Sequence, residues 1–251
     1  MTPAPSYVVA MTVNLVSLVW DTPDPSRLAR FWAAALDWGI ASESDDEVEL
    51  APTDGTRFSL LFGANADEPV GKRRIHLDLS TESLEDQRAT VAWYTELGAR
   101  EIDIGQGPDA RHTVMADPDG NAFCVLEPGN NFVSHTSRLG SITCDGTREV
   151  GYFWSKVLGW PLVWDQSEET AIKDADGAGQ FITWGGPPIP PKVAKNRLHL
   201  DVAPPAGGDQ AAEVERLLSL GARHIDIGQR DVPWVVLADP DDNEFCVLTP
   251  R

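Results

Sequence analysis

The thirteen residues ADPDGNAFCVLEP, Ala116 to Pro128, return near the C-terminus as ADPDDNEFCVLTP, Ala238 to Pro250. At an offset of 122 to 123 residues the match widens. FWAAALDWGI (31–40) meets FWSKVLGWPL (153–162), FSLLFG (58–63) meets FITWGG (181–186), RRIHLDL (73–79) meets NRLHLDV (196–202), and ELGAREIDIGQG (96–107) meets SLGARHIDIGQR (219–230). A chain that repeats itself through most of its length folds as copies of one unit. In 251 residues there is room for two cores of ordinary size. The repeat predicts one domain at 11–130, a short polar linker at 131–137 and a second domain at 138–251.

Within each copy the apolar period switches between two and 3.6 residues, which reads as strand, helix and several strands, repeated once. The fold class is therefore α+β, built from four strand–helix–strand modules. The first helix has Asp24 at its N-cap and Pro25 at its first position. Leu28, Phe31, Trp32, Ala35 and Leu36 follow at helical spacing. Val150, Phe153, Trp154, Val157 and Leu158 repeat that stripe, so Trp32 and Trp154 read as core. The second helix of each copy spans about 84–97 and 210–220, with Asp209 as one N-cap and Gly98 and Gly221 as C-caps. The repeated phrase itself is turn chemistry followed by a last strand. Pro118 and Pro240 pre-set φ, Gly120 and Asp242 take the left-handed position, and the acidic residues read as turn formers.

Alternation along a strand sorts side chains by face. In RIHLDL, Ile75, Leu77 and Leu79 oppose His76, Asp78 and Ser80, and the second copy sets Leu198, Leu200 and Val202 against His199 and Asp201. Helices must cover the apolar side, so both His–x–Asp pairs face outward. The same sorting turns Cys124 and Cys246 away from the helices, along with Ser17, Ser141 and Thr143. Ser59 and Leu61 oppose Phe58 and Leu60, and the alignment makes Ile182 and Trp184 their equivalents.

Net charge is −19, from 39 acidic and 20 basic residues, and this repels phosphate backbones and anionic lipid surfaces. Nucleic-acid and membrane partners are not expected. No apolar run is long enough to span a bilayer and no basic, apolar leader opens the sequence, so the expected location is cytoplasmic. Three cysteines, an odd number, read as free thiols in a reducing compartment.

Taken together, FW on a helix, then LGW, NRLHLDV, LGAR and ADPDGNxFCVL in βαβββ modules resemble the glyoxalase-like branch of the vicinal oxygen chelate superfamily. That branch also includes bleomycin-resistance-like proteins. The resemblance covers nearly the whole chain as two tandem copies. It implies curved mixed β-sheets with helices on the convex face, and a site in the concavity. Metal-using members supply His or Glu ligands from the first, fourth, fifth and eighth strands. Those positions fall on Ser17 and Ser141, on Ser59 or Leu61 and Ile182 or Trp184, on His76 and His199, and on Cys124 and Cys246. One good ligand per copy is too few for a three-ligand metal site, so neither metal nor other cofactor is expected.

The resulting expectation is a metal-independent small-molecule-binding protein, monomeric or homodimeric. It would grip an aromatic or amphipathic metabolite or antibiotic. Ser17, Ser59, Leu61, Cys124, Ser141, Ile182, Trp184 and Cys246 would form the ligand-binding walls. The alternative is a metal-independent enzyme of secondary metabolism, catalysing isomerisation, cyclisation or ring opening. His76 or His199 would be its general acid or base, and Asp78 or Asp201 would orient it. A metal-dependent glyoxalase or dioxygenase is the third reading.

Overall fold

The computed structural model describes residues 12–66 and 73–251. Met11, the first residue of the expected first domain, lies outside them. The first module consists of β1 (Asn14–Thr22), α1 (Pro25–Leu36), β2 (Gly39–Glu43), β3 (Glu47–Ala51) and β4 (Ser59–Ala64). The second follows as β5 (Ile75–Leu79), α2 (Leu84–Glu96), β6 (Arg100–Glu101), β7 (Thr113–Ala116) and β8 (Ala122–Val125). A single 3₁₀ turn, Asn131–Val133, crosses to the second copy. The third module is β9 (Leu139–Cys144), α3 (Arg148–Leu158), β10 (Leu162–Gln166), β11 (Glu169–Lys173) and β12 (Phe181–Trp184). The fourth is β13 (Leu198–Ala203), α4 (Gln210–Leu220), β14 (Arg223–His224), β15 (Val235–Ala238) and β16 (Glu244–Val247). No helix among the described residues is long and apolar enough to cross a membrane.

Local chemistry sets the helix ends. The Asp24 side chain accepts from the Arg27 N–H, with Pro25 next to it as N1. Asp209 accepts from the N–H groups of Ala211 and Ala212, and α4 closes on Gly221 in the left-handed region.

The sixteen strands of the described residues form two eight-stranded sheets. Sheet A runs β14-β15-β16-β13-β1-β4-β3-β2, and sheet B runs β10-β11-β12-β9-β5-β8-β7-β6. Each sheet thus takes one module from each sequence copy. The joins are antiparallel, β1 with β13 and β5 with β9. Within each copy, the two modules lie in different sheets and are joined through the helix layer. The Tyr94 hydroxyl of α2 donates to the Ala35 carbonyl of α1 at 3.0 Å. Phe31, Trp32, Tyr94 and Phe123 form a ring cluster with centroids 5.1 to 6.3 Å apart. Phe153, Trp154 and Phe245 repeat the arrangement in the second copy. One apolar core runs through the inward faces of both sheets and all four helices, which leaves the two concave faces pointing outward.

The repeated phrase locks this core. Asp117 accepts from the N–H groups of Asp119 and Asn121 at 3.0 and 2.8 Å, and from the Trp32 indole at 3.3 Å. Asp239 does the same with Asp241, Asn243 and Trp154. Gly120 and Asp242 sit at φ 75° and 69°, the left-handed position the turn needs. The buried carboxylate therefore closes the hairpin and also satisfies the indole N–H of a core tryptophan on the opposite layer.

Candidate active site on sheet A and its twin on sheet B

Each site is assembled where the two copies join. In sheet A, Ser17 of β1 pairs with Asp201 of β13, and Val19 pairs with His199. Asp201 also pairs with Cys246 of β16. In sheet B, Ser141 of β9 pairs with Asp78 of β5, Thr143 pairs with His76, and Cys124 of β8 lies beside Asp78. The alternation expected from RIHLDL holds, since Ile75, Leu77 and Leu79 lie in the main core. The two cysteines belong to separate small clusters on the outer face, Cys124 with Val114 and Leu126, and Cys246 with Val236 and Leu248.

A cavity of about 580 Å³ lies over the outer face of sheet A. Of the residues singled out in the sequence, Ser17, Leu61, His199, Asp201 and Cys246 line it. Ser59 shares the face, paired with Ser17, but donates its hydroxyl to the Val16 carbonyl at 3.4 Å. The sequence reading missed Glu47, Glu49, Lys195 and Trp234 in the cavity wall. The alternation of EVEL offered a signal for the two glutamates. Trp234 and Lys195 come from loops, for which strand periodicity offered none. Lys195 is ion-paired with Asp21 at the cavity's edge.

Ile182 and Trp184 require correction. Matching FSLLFG to FITWGG set them against Ser59 and Leu61. In the fold, Phe181 pairs with Ser141 and Thr183 with Thr143, as Ser59 pairs with Ser17 and Leu61 with Val19. Phe181 and Thr183 are the true equivalents. Counted from Trp32 and Trp154 the two copies run at equal length into β4 and β12, so pairing Phe58 with Phe181 set the match one residue out, and a slip of one along a strand moves a side chain to the opposite face. Ile182 and Trp184 are buried in the main core. The Trp184 ring lies so close to α3 that a Cβ on Gly151 would come within 3.1 Å of it. Ser141 does lie on the outer face but is fully buried. It sits in a hydroxyl cluster with Thr143 and Thr183 at 3.3 and 3.4 Å.

The connection between copies lies over part of sheet B. β9 carries a bulge at Gly140, as β1 carries one at Val16. In sheet A the Val16 side chain packs with the Cys246 cluster, whereas in sheet B Val133 of the connection takes that place beside Cys124. Gly140 makes the room, because a Cβ there would sit 2.4 Å from Val133. Phe132 stacks edge-on against Trp164, and Lys173 donates to the Ser134 carbonyl at 3.0 Å.

The two His–Asp pairs differ electrostatically. His199 Nε2 is 3.5 Å from Asp201 Oδ1, and both side chains are buried. Burial pushes Asp201 up to about 7, and the contacts from Cys246 and Ser17 offset only part of this. Burial, with the Lys195 charge, lowers His199 to about 4. In sheet B, His76 is more exposed and lies 3.3 Å from Asp78. Burial would raise Asp78, but the hydrogen bond and charge of His76, the Thr143 hydroxyl at 2.7 Å and Cys124 hold it below its usual range. Burial first, then the adjacent carboxylate, pushes both thiols up, so neither is an activated nucleophile.

The four-strand ligand set of metal-using relatives does not fit these residues. Ser17 is engaged with Asp201, Ser59 with the Val16 carbonyl of the neighbouring strand, and Leu61 has no donor. What each site does assemble is a trio whose ligand atoms lie within 4.8 Å of one another, His199–Asp201–Cys246 and His76–Asp78–Cys124.

Comparison with known families settles the lineage. The model of the glyoxalase-like domain matches twice, at residues 17–126 and 141–248, which is most of the chain. The protein belongs to the glyoxalase-like domain family. This glyoxalase-like protein has no match among curated proteins. Glyoxalase I from Zea mays, as its V278E mutant, superposes with a TM-score of 0.64 at 14% identity, covering 95% of this chain and 92% of that one. A putative dioxygenase from Bacillus subtilis superposes at 0.61 and 13% identity, covering 95% and 85%. At such identities the likeness is one of fold.

Proposed function

We propose that this glyoxalase-like protein binds a small amphipathic or aromatic molecule in the cavity of sheet A. The observation that carries the reading is the composition of that cavity. Val16, Val19, Leu61, Trp234 and Leu248 supply apolar wall, and Ser17, His199 and Asp201 are among the polar groups that share the lining. About 580 Å³ suits a metabolite-sized ligand, and the apolar wall is matched by a polar rim that includes Asp21, Asn65, Lys195, Gln229 and Arg251, a combination that suits an amphipathic molecule. Trp234 is 39% exposed, enough to stack on an entering ring. Glu47 and Glu49 favour a ligand without an anionic group on that side.

The test is a thermal-shift screen of organic compounds, combined with native mass spectrometry of the purified protein. A hit should bind one per chain, and Leu61→Arg, which fills the cavity, should abolish binding while Thr183→Arg on sheet B keeps it. Binding that survives Leu61→Arg in folded protein would overturn the reading.

A further inference from the structure

We propose that the second copy carries a separate binding site for a small organic cation, an ammonium group on an apolar body, in the cavity where β1 begins, α3 ends and the β11–β12 hairpin turns. That cavity measures about 470 Å³, within the range of small-molecule sites. Val13, Leu15, Leu158 and Pro161 give it apolar wall, and Trp160 and Asp174 give it the two groups that a cation would use. Val16 and Arg251 stand between it and the sheet A cavity, lining both.

The copies differ here in one turn. At an offset of 122, Trp160 answers to Trp38 and Asp176 to Asp54, and the strand pairing keeps that offset, Leu50 with Leu60 and Ile172 with Ile182. In the first copy the Trp38 indole donates to Asp54 Oδ2 at 3.1 Å, Asp54 Oδ1 accepts from the Thr56 N–H, and Trp38 is buried. In the second copy Asp174, which stands where the first has Pro52, closes the turn by accepting from the Asp176 N–H at 3.0 Å. Asp176 points outward instead, its side chain 83% exposed and ion-paired with Arg57 at 3.2 Å. Trp160 therefore lacks the carboxylate that holds Trp38. Its indole N–H makes no hydrogen bond among the described residues, and the residue lines the cavity.

Asp174 supplies the charge. Its side chain is 4% exposed, with Oδ1 bonded to the Asp176 N–H and 3.6 Å from the half-exposed Arg57 guanidinium. Its Oδ2 makes no hydrogen bond among the described residues, although Asp174 lines the cavity. Burial raises the Asp174 pKa, and the Asp176 N–H and the Arg57 charge offset only part of this. A buried carboxylate with an unbonded oxygen is stabilised by a cation beside it, and the indole face adds a second attraction for the same charge. The other guanidinium of the lining, Arg251, belongs to the β13 side, where its backbone N–H donates to the Pro204 carbonyl at 3.1 Å and its charge acts on Asp201. A net charge of −19 adds long-range attraction for cations.

The site stands whatever sheet A binds, and its test reads Trp160 directly. The protein is titrated with phenethylammonium and with its neutral counterpart phenethyl alcohol. The indole N–H signal of Trp160 is followed in heteronuclear NMR spectra, assigned through Trp160→Phe. The amine should shift that signal saturably, and the alcohol should bind roughly tenfold or more weakly. Asp174→Asn keeps the Oδ1 acceptor of the turn but removes the charge, and should weaken the amine by a similar factor. Should that variant fail to fold by circular dichroism, Ala175→Arg, which adds a guanidinium to the same wall, should do likewise. Leu61→Arg should leave the titration unchanged, which separates this site from the sheet A cavity. No saturable shift of Trp160, equal affinity for the alcohol, undiminished binding in folded Asp174→Asn, or loss of binding in Leu61→Arg would overturn the site.

Discussion

At the scale of single residues, two contacts set how the copies differ and how the core is held. Gly140 is small because Val133 lies against it. Gly140→Ala should therefore destabilise the protein by about 1–3 kcal/mol through overpacking. Val133→Ala should recover part of that loss in the double variant, as urea melts of the four proteins would show. Trp154 donates its indole N–H to Asp239 at 3.1 Å, both being buried. Trp154→Phe removes the donor and leaves the carboxylate with one partner fewer, an expected loss on the order of 1–3 kcal/mol in the same measurement. Trp32 and Trp154 were readable as core from their helical spacing. That each would be tethered to the aspartate of the repeated turn was not, because the partners are 85 residues apart and only packing of the two layers brings them together.

At the scale of elements, the N-terminus of α2 is clamped to the strand leading out of the connection. Arg138, just before β9, makes a paired contact with Asp86 at 3.1 and 3.2 Å. Burial would raise the Asp86 pKa, but the Arg138 hydrogen bonds, the Glu82 N–H and the Arg138 charge outweigh it and hold the carboxyl below its ordinary 3.8. A depressed folded pKa means that the clamp's stabilisation is present above pH 3.8 and is lost as pH falls below it. Asp86→Asn should cost about 0.5–1 kcal/mol at pH 7. The gap between variant and wild type should close as thermal melts are carried to acid pH, below the depressed pKa of the folded carboxyl, where Asp86 itself becomes neutral. The elements themselves were legible, helix ends and turns above all, since capping and left-handed positions are written in local residue types. The register of β12 was not. Phe58 and Phe181 look equivalent in sequence, yet Phe181 takes the place of Ser59 in the sheet, and that shift of one is enough to bury Ile182 and Trp184.

At the scale of the whole molecule, the unit that repeats in sequence is not the unit that closes a sheet. A polypeptide ending at Ser137 would leave β1 and β5 as long unpaired edges, because their partners β13 and β9 lie in the other copy. Such a half should self-associate or aggregate when produced alone. Mixed with residues 138–251 it should assemble into a one-to-one complex with native-like circular dichroism, and size-exclusion chromatography distinguishes these outcomes. Two stable, monomeric halves would contradict the architecture described. The sequence by itself determined the duplication, the βαβββ modules, the turns and the outward direction of His76, Asp78, His199 and Asp201, because periodicity and turn chemistry act between neighbours along the chain. Only the tertiary structure decided that each site straddles both copies, that Cys246 and Asp201 converge on His199, that Val133 lies over part of sheet B, and that Trp184 is core. Those depend on which strands meet edge to edge, and pairing between residues far apart along the chain leaves no local trace in the sequence.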